Sequence, residues 1–397
     1  MMRQSGMALL ALLLLLMFTA AVGVFALFAD GSIGQARNDK TAVALAEAKA
    51  ALIGHIARSP DITALSRLPN PDLRVNAVFA EGSQAGSAGA RNTSLLGKLP
   101  WRSLGMASLK DGNGECLWYV VSGRLKSNPQ SLDVYNWDTA GQLDVMQEDG
   151  TMLQTGLAAI LISSGTPLDG QNRANNDAGL RECGGNYDAR NYLDSFHAAD
   201  AIAGQLNYFP GSTNHRQAGD AADKTFVLAA NAHYNDRFLF ITVDEIFKPI
   251  MRRADFIAQI DALTKDPGFL AHLAGVVISG SKGTDGIDCT QAPNPGFCRH
   301  WREMLLLIRL PAPAGITVDG RQTGTACERV LLFSGSRTLQ QRRKTDTDKA
   351  LPENYLEGQN LAAFSLPVAR DAGFAGASGF SAETPDADII SCLTHDD

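Results

Sequence analysis

Met7-Ala-Leu-Leu-Ala-Leu-Leu-Leu-Leu-Leu-Met-Phe-Thr-Ala-Ala-Val-Gly-Val-Phe-Ala-Leu-Phe-Ala29 runs without a charge. A helix needs about 20 apolar residues to cross a bilayer, and this stretch meets that length. Arg3 precedes it and Asp30 follows it, a bias that keeps the N-terminus inside and sends the remainder across. A cleaved signal peptide is the competing reading, with Phe25-Ala-Leu-Phe-Ala29 as its end. Its apolar core would span only about 7–15 residues, shorter than this run.

Working outward, Ala42-Val-Ala-Leu-Ala-Glu-Ala-Lys-Ala-Ala-Leu-Ile-Gly-His-Ile-Ala-Arg-Ser59 is rich in strong helix formers. Leu45, Ala48, Leu52 and Ile56 recur at three- and four-residue spacing and share a face. Pro60 stops the pattern, and Gly31 and Gly34 mark the junction with the apolar run. A continuous helix over 7–58 would span about 75–80 Å at about 1.5 Å per residue. Its first half is apolar all round, and its second half is amphipathic and suited to packing on a globular body.

That layout resembles the type IV pilin superfamily. Gln4-Ser5-Gly6-Met7-Ala8-Leu9-Leu10 looks like a prepilin peptidase site. The resemblance implies cleavage after Gly6 and an N-methylated Met7. Most pilins carry glutamate at the fifth mature position, and here that position is Ala11. A carboxylate in an apolar filament core is costly unless paired. Its loss therefore points to a minor or terminal subunit, such as a pseudopilin. Ala11 and the close-approach residue Gly23 become the expected helix-packing positions. The implied division is a leader over 1–6, a transmembrane helix over 7–29, an amphipathic extension over 30–58 and a periplasmic globular region over 59–397. The implied location is the bacterial inner membrane in a single pass, or a filament after assembly.

Composition agrees with a globular body on one apolar appendage: 45% of residues are hydrophobic and 19% charged. The net charge of −7 disfavours a nucleic-acid partner, because a basic surface supplies much of that affinity. Cys116, Cys183, Cys289, Cys298, Cys327 and Cys392 form an even set without a CxxC, which favours disulfides over zinc. Their pairing is open at this level.

Apolar runs at 116–121, 157–162, 225–229, 236–242, 305–310 and 330–333 read as strands. Residues 244–263 read as a helix with Thr242 or Asp244 as its cap. The sequence thus predicts an α+β protein: a long N-terminal transmembrane and amphipathic helix packed on an antiparallel or mixed β-sheet body with additional helices. One internal similarity stands out. Leu161-Ile-Ser-Ser-Gly with Leu168, Gln171 and Arg173 echoes Leu332-Phe-Ser-Gly with Leu339, Gln341 and Arg342. Asn191-Tyr-Leu-Asp194 echoes Asn354-Tyr-Leu-Glu357. These matches suggest a duplicated strand–loop unit at about 115–210 and 325–370.

No catalytic arrangement emerges. The chain lacks a Gly-x-Ser-x-Gly elbow, a His-Glu-x-x-His pair and a phosphate-binding loop. Asp285 and Asp288 set hard oxygen ligands beside Cys289, either a calcium site, as the resemblance also implies, or an ordinary acidic turn. The expected function is structural and non-enzymatic: a minor pilin or pseudopilin in assembly or tip formation. The expected partners are other pilin-like subunits, prepilin peptidase and an inner-membrane assembly platform. The competing reading is a membrane-anchored periplasmic enzyme or adhesin.

Overall fold

A computed structural model describes residues 33–59, 67–73, 80–86, 92–127, 134–174, 177, 180, 182–209, 224–365 and 372–394. The first helix, α1, covers 33–57. Ala44, Leu45, Ala48, Leu52 and Ile56 form its buried stripe and join the main core. Lys49 fastens the helix from the side. Its ammonium donates to the Phe240 carbonyl at 2.9 Å and pairs with Glu245 at 2.5 Å. Residues 35–40, nearest the start of the helix, are exposed.

Two expectations are corrected at this point. The long helix predicted over 7–58, with a transmembrane first half, is not what the described residues contain. Their long helix is α1, and none of their helices is long and apolar enough to cross a membrane. The reason is compositional. Arg37, Asp39, Lys40, Glu47 and Lys49 interrupt α1, and the globular body consumes its one apolar stripe. The single-pass inner-membrane placement falls with the transmembrane helix. The 7–29 run lies outside the described residues, as do Gly6, Met7, Ala11 and Gly23.

Among the described residues the body is built on three sheets. The first joins β1 (Leu95–Lys98), β2 (Trp118–Val121), β5 (Ala159–Ser163) and β7 (Arg237–Ile241) in that spatial order, all antiparallel. A mixed three-stranded sheet places β3 (Leu143–Gln147) between β4 (Met152–Leu157) and β6 (Lys224–Leu228). A third sheet is led by the long hairpin of β8 (Leu305–Val318) and β9 (Arg321–Phe333). It is flanked by β10 (Ala372–Phe374) and β11 (Ile389–Leu393).

β2 and β5 are buried on both faces, which explains why they read as unbroken apolar runs instead of alternating ones. Tyr119, Val121 and Leu161 face the main core shared with α1 and the third sheet. Trp118, Val120, Ile160 and Ile162 face a second core with Tyr192 and Leu193.

Between β7 and β8 lie α2 (Val243–Met251), α3 (Ala254–Lys265), α4 (Pro267–Gly275) and α5 (Pro295–Trp301). Thr242 and Glu245 close a capping box at the start of α2, with 3.2 and 2.9 Å bonds between side chain and backbone. The expected single helix over 244–263 breaks between Met251 and Ala254. The backbone turns extended at Arg253, which separates α2 from α3, and Pro249 lies inside α2, where it leaves one backbone acceptor of the preceding turn without its donor. The short α6 (Asp346–Lys349) and α7 (Gly358–Ser365) follow β9.

The first and third sheets carry the same wiring. Ser163 at the end of β5 registers with Arg237, and Phe333 at the end of β9 registers with Ile389. Past each strand a buried arginine closes the loop. Arg173 donates to the carbonyls of Gly165 and Asn191, each at 2.9 Å, and to Gln171 Oε1 at 3.0 Å. Arg343 donates to the Gly335 carbonyl at 3.1 Å, to the Asn354 carbonyl, and to Gln341 Oε1 at 2.8 Å.

Each guanidinium sits over a tyrosine ring, Arg173 at 5.0 Å from Tyr192 and Arg343 at 4.4 Å from Tyr355. A lysine stands over each of those rings too: Lys98 over Tyr192 and Lys282 over Tyr355. Asn207 and Asn360 bind the carboxylates of Asp236 and Asp388, which precede β7 and β11. The arginine equivalent to Arg173 is therefore Arg343, one residue beyond the one that sequence matching selects.

Candidate functional site

Where the two arginine loops differ, a cleft opens. Arg173 finds its acid within its own unit, at Glu115, 3.7 Å away. Arg343 takes Asp138, which lies between β2 and β3 and so belongs to the other unit, at 3.1 Å. The side chains of this pair are 1% and 0% exposed. Burial pushes the Asp138 carboxyl up, and Arg343 opposes that shift. Only Oδ2 of Asp138 is engaged by Arg343; Oδ1 is buried and has no hydrogen-bond partner.

Asp138 lines two adjoining cavities. One, of ≈ 480 Å³, lies between Gln154–Gly156 of β4, the first residues of α2 and the loop 341–345 after β9. The other, of ≈ 920 Å³, runs along α2 between Ser336–Gln341 and the segment Ala382–Asp386. Asp244, Arg337 and Gln341 line both. Arg337 and Asp244 pair at 3.6 Å across the junction.

The floor of the larger cavity is aromatic, with Trp137 and Phe247. Trp137 is held edge-on against Trp301 at 4.6 Å and stacks on Phe380 at 6.0 Å. Its indole Nε1 is buried without an acceptor. The wall of the larger cavity carries the basic Lys248 and Arg252 and the acidic Asp386 and Glu357, and the smaller cavity is basic at Arg342 and Lys344. Glu357 accepts from Gln341 at 2.5 Å, and burial raises its carboxyl. Leu339 at the lip is fully exposed.

The residues singled out from sequence fall elsewhere. The six cysteines form three disulfides: Cys116–Cys183, Cys289–Cys298 and Cys327–Cys392. Three disulfides suit an oxidising, extracytoplasmic compartment. Asp288 spends its carboxylate on Thr290, accepting from the backbone N–H at 2.9 Å and the hydroxyl at 2.8 Å, and caps the 3-10 turn Cys289–Gln291. Asp285 lies against Gly280. No group of three or more potential metal-binding side chains occurs among the described residues.

Arg253 is tied to the carbonyls of Ala57 and Ser59, so it anchors the end of α1, whereas Lys248 and Arg252 line the cleft. Sequence reasoning missed Asp138, Arg337 and Arg343. The available signal was the Trp137-Asp138 step in a polar region and the Arg342-Arg343-Lys344 run. No family model, characterised protein or solved structure matches this chain.

Proposed function

We propose that this chain is a minor or terminal subunit of an extracytoplasmic filament of the type IV pilin kind. One observation carries the reading. The amphipathic α1 docks on the body from Thr41 onward, with the Gly112 backbone against the Arg37 carbonyl, while the side chains of residues 35–40 are exposed, downstream of the uncharged residues 7–29 and the Gly6–Met7 step. A helix held along most of its length with an exposed, polar start is what a subunit needs to present its N-terminal region to its neighbours. Ile33 and Val43 leave apolar surface on that helix, 50% and 56% exposed. The three disulfides support the oxidising compartment that such a filament occupies. Ala11 in place of the usual glutamate supports a minor or terminal position.

The reading makes prepilin peptidase and other pilin-like subunits its partners. Mass spectrometry of the mature N-terminus tests it. Loss of residues 1–6 with a methylated Met7 is the expected result. An intact Met1, or a new end near Ala29, overturns it.

A further inference from the structure

We propose that Asn113 is a site of spontaneous deamidation, and that its conversion loosens the first half of α1. Asn113-Gly114 is the single Asn-Gly step in the chain. Both residues are exposed, in the turn that follows Asp111. Nothing packs over Gly114: a β-carbon placed there would meet no atom within 4 Å. The Asn113 N–H donates to Asp111 Oδ1 at 2.8 Å, whereas its carboxamide has no hydrogen-bond partner among the described residues. Glycine has no side chain to hold its nitrogen away from the neighbouring carboxamide. The Gly114 nitrogen, on giving up its proton, forms a bond to Cγ of Asn113. The Cγ–Nδ2 bond breaks, ammonia leaves with that proton, and a five-membered imide closes. Water then cleaves one of the two imide C–N bonds. Cleavage at Cγ leaves aspartate. Cleavage at the main-chain carbonyl leaves isoaspartate, whose backbone runs through Cγ and is longer by one carbon. Water is the only co-reactant.

The place of this turn gives the chemistry its consequence. Asp111 is fully buried and organises the turn. Its Oδ1 accepts from the N–H groups of Asn113 and Glu115 at 2.8 and 3.0 Å, and its Oδ2 from the Ser163 hydroxyl at 2.7 Å. The Gly114 N–H donates to the Asp111 carbonyl at 3.1 Å, a bond that an imide nitrogen cannot make. A bridge between Lys110 and Cys116 pins both ends, so a longer main chain is taken up inside the turn. Gly112, within it, is the contact with α1. Its N–H donates to Thr41 Oγ1 at 2.9 Å, and no β-carbon fits between it and the Arg37 carbonyl. Leu45, Ala48, Leu52 and Ile56 are held separately, by the main core. Conversion therefore releases the helix around Thr41 and leaves its C-terminal part docked. The new carboxylate also stands two residues from that of Asp111, where like charges repel. The inference is independent of the filament reading, because it needs only the folded body.

Ageing the purified full-length chain in mildly alkaline buffer tests it, with two readouts: peptide mapping for aspartate and isoaspartate, and amide hydrogen exchange along α1. Conversion should concentrate at Asn113, with isoaspartate among the products. Exchange over residues 33–44 should then rise by about fivefold, the scale of one lost hydrogen bond, with residues 45–57 unchanged. Aged Asn113→Gln protein should show neither change, because glutamine would have to close a larger ring. The site is overturned if Asn113 keeps its amide while other asparagines convert, or if none converts. The link to α1 is overturned if the aged Asn113→Gln protein shows the same rise in exchange. It is equally overturned if full conversion of Asn113 leaves exchange over 33–44 as it was.

Discussion

Asp194 and Asp236 clasp each other: the backbone N–H of Asp194 donates to the Asp236 carboxylate at 2.9 Å, and that of Asp236 donates to the Asp194 carboxylate at 2.8 Å. The reciprocity brings two buried carboxyls together beside β7. Burial pushes Asp194 up to about 6, and burial with the neighbouring Asp194 charge pushes Asp236 up as well. The third sheet repeats the theme. Burial lifts Asp388 to about 6 and raises Glu357, which also feels Asp388.

These carboxyls set a pH dependence of stability. A carboxyl held above its unfolded value of about 3.9 binds its proton more tightly in the folded chain. Its contribution is therefore fully present below about pH 4 and is lost as pH rises through about 6. Exposed acids with lowered values, such as Asp255, pull the total the other way, so the informative quantity is a difference. Asp194→Asn should gain stability relative to the wild type between pH 4 and 7, on the order of 2 kcal/mol at the upper end. Urea midpoints measured across that range check it. A pH-independent difference between the two proteins would reject the protonation account.

The disulfides should differ in weight. Cys116–Cys183 and Cys327–Cys392 enclose separations of 67 and 65 residues, and Cys289–Cys298 encloses only 9. The chain-entropy model gives about 4 kcal/mol for each long loop and about 2.5 kcal/mol for the short one. Replacing Cys116 and Cys183 by serine should thus lower the melting temperature more than replacing Cys289 and Cys298. Calorimetry of the paired variants decides the order.

α1 should be part of the cooperative unit, not an appendage. Leu52 is fully buried in the main core, so Leu52→Ala should cost about 2–5 kcal/mol. Val43 lies on the same helix but is exposed, and Val43→Ser should stay within about 0.5 kcal/mol. Denaturant unfolding monitored by a global probe separates the two. A silent Leu52→Ala would mean that α1 unfolds apart from the sheets.

The contrast between those two positions also shows how much was readable beforehand. The stripe Leu45, Ala48, Leu52, Ile56 was legible because one face of a helix is written in its spacing. The doubly buried strands β2 and β5 were legible as apolar runs. The outer half of the β8–β9 hairpin was not. Pro311, Pro313, Gly315 and Gly324 argue against a strand locally, and the exposed residues 311–313 and 321–323 interrupt the short alternation of Ala314, Ile316 and Val318. β3 was hidden for a different reason: Leu143, Val145 and Met146 are too short a pattern inside a polar stretch, and the distant β6 completes their pairing. Disulfide pairing is a matter of three-dimensional proximity that spacing does not encode. The cleft was least legible of all, since Asp138 and Arg343 stand 205 residues apart and neither belongs to a recognisable motif.

That long-range pair supports the last prediction. Asp138 and Arg343 are both fully buried, and they join the unit around the first sheet to the loop after β9. Asp138→Ala strands a buried guanidinium with its remaining carbonyl and amide partners, a loss that typically costs about 3–5 kcal/mol. Glu115 is the counterpart acid for Arg173, but it lies farther off at 3.7 Å and its side chain is 24% exposed. Glu115→Ala should cost about 1 kcal/mol or less. The two arginines share so much wiring that a large difference between these variants isolates the acid that crosses between units. Equal losses in urea unfolding would show that the carbonyl cage around each arginine, and not its acid, carries the stability.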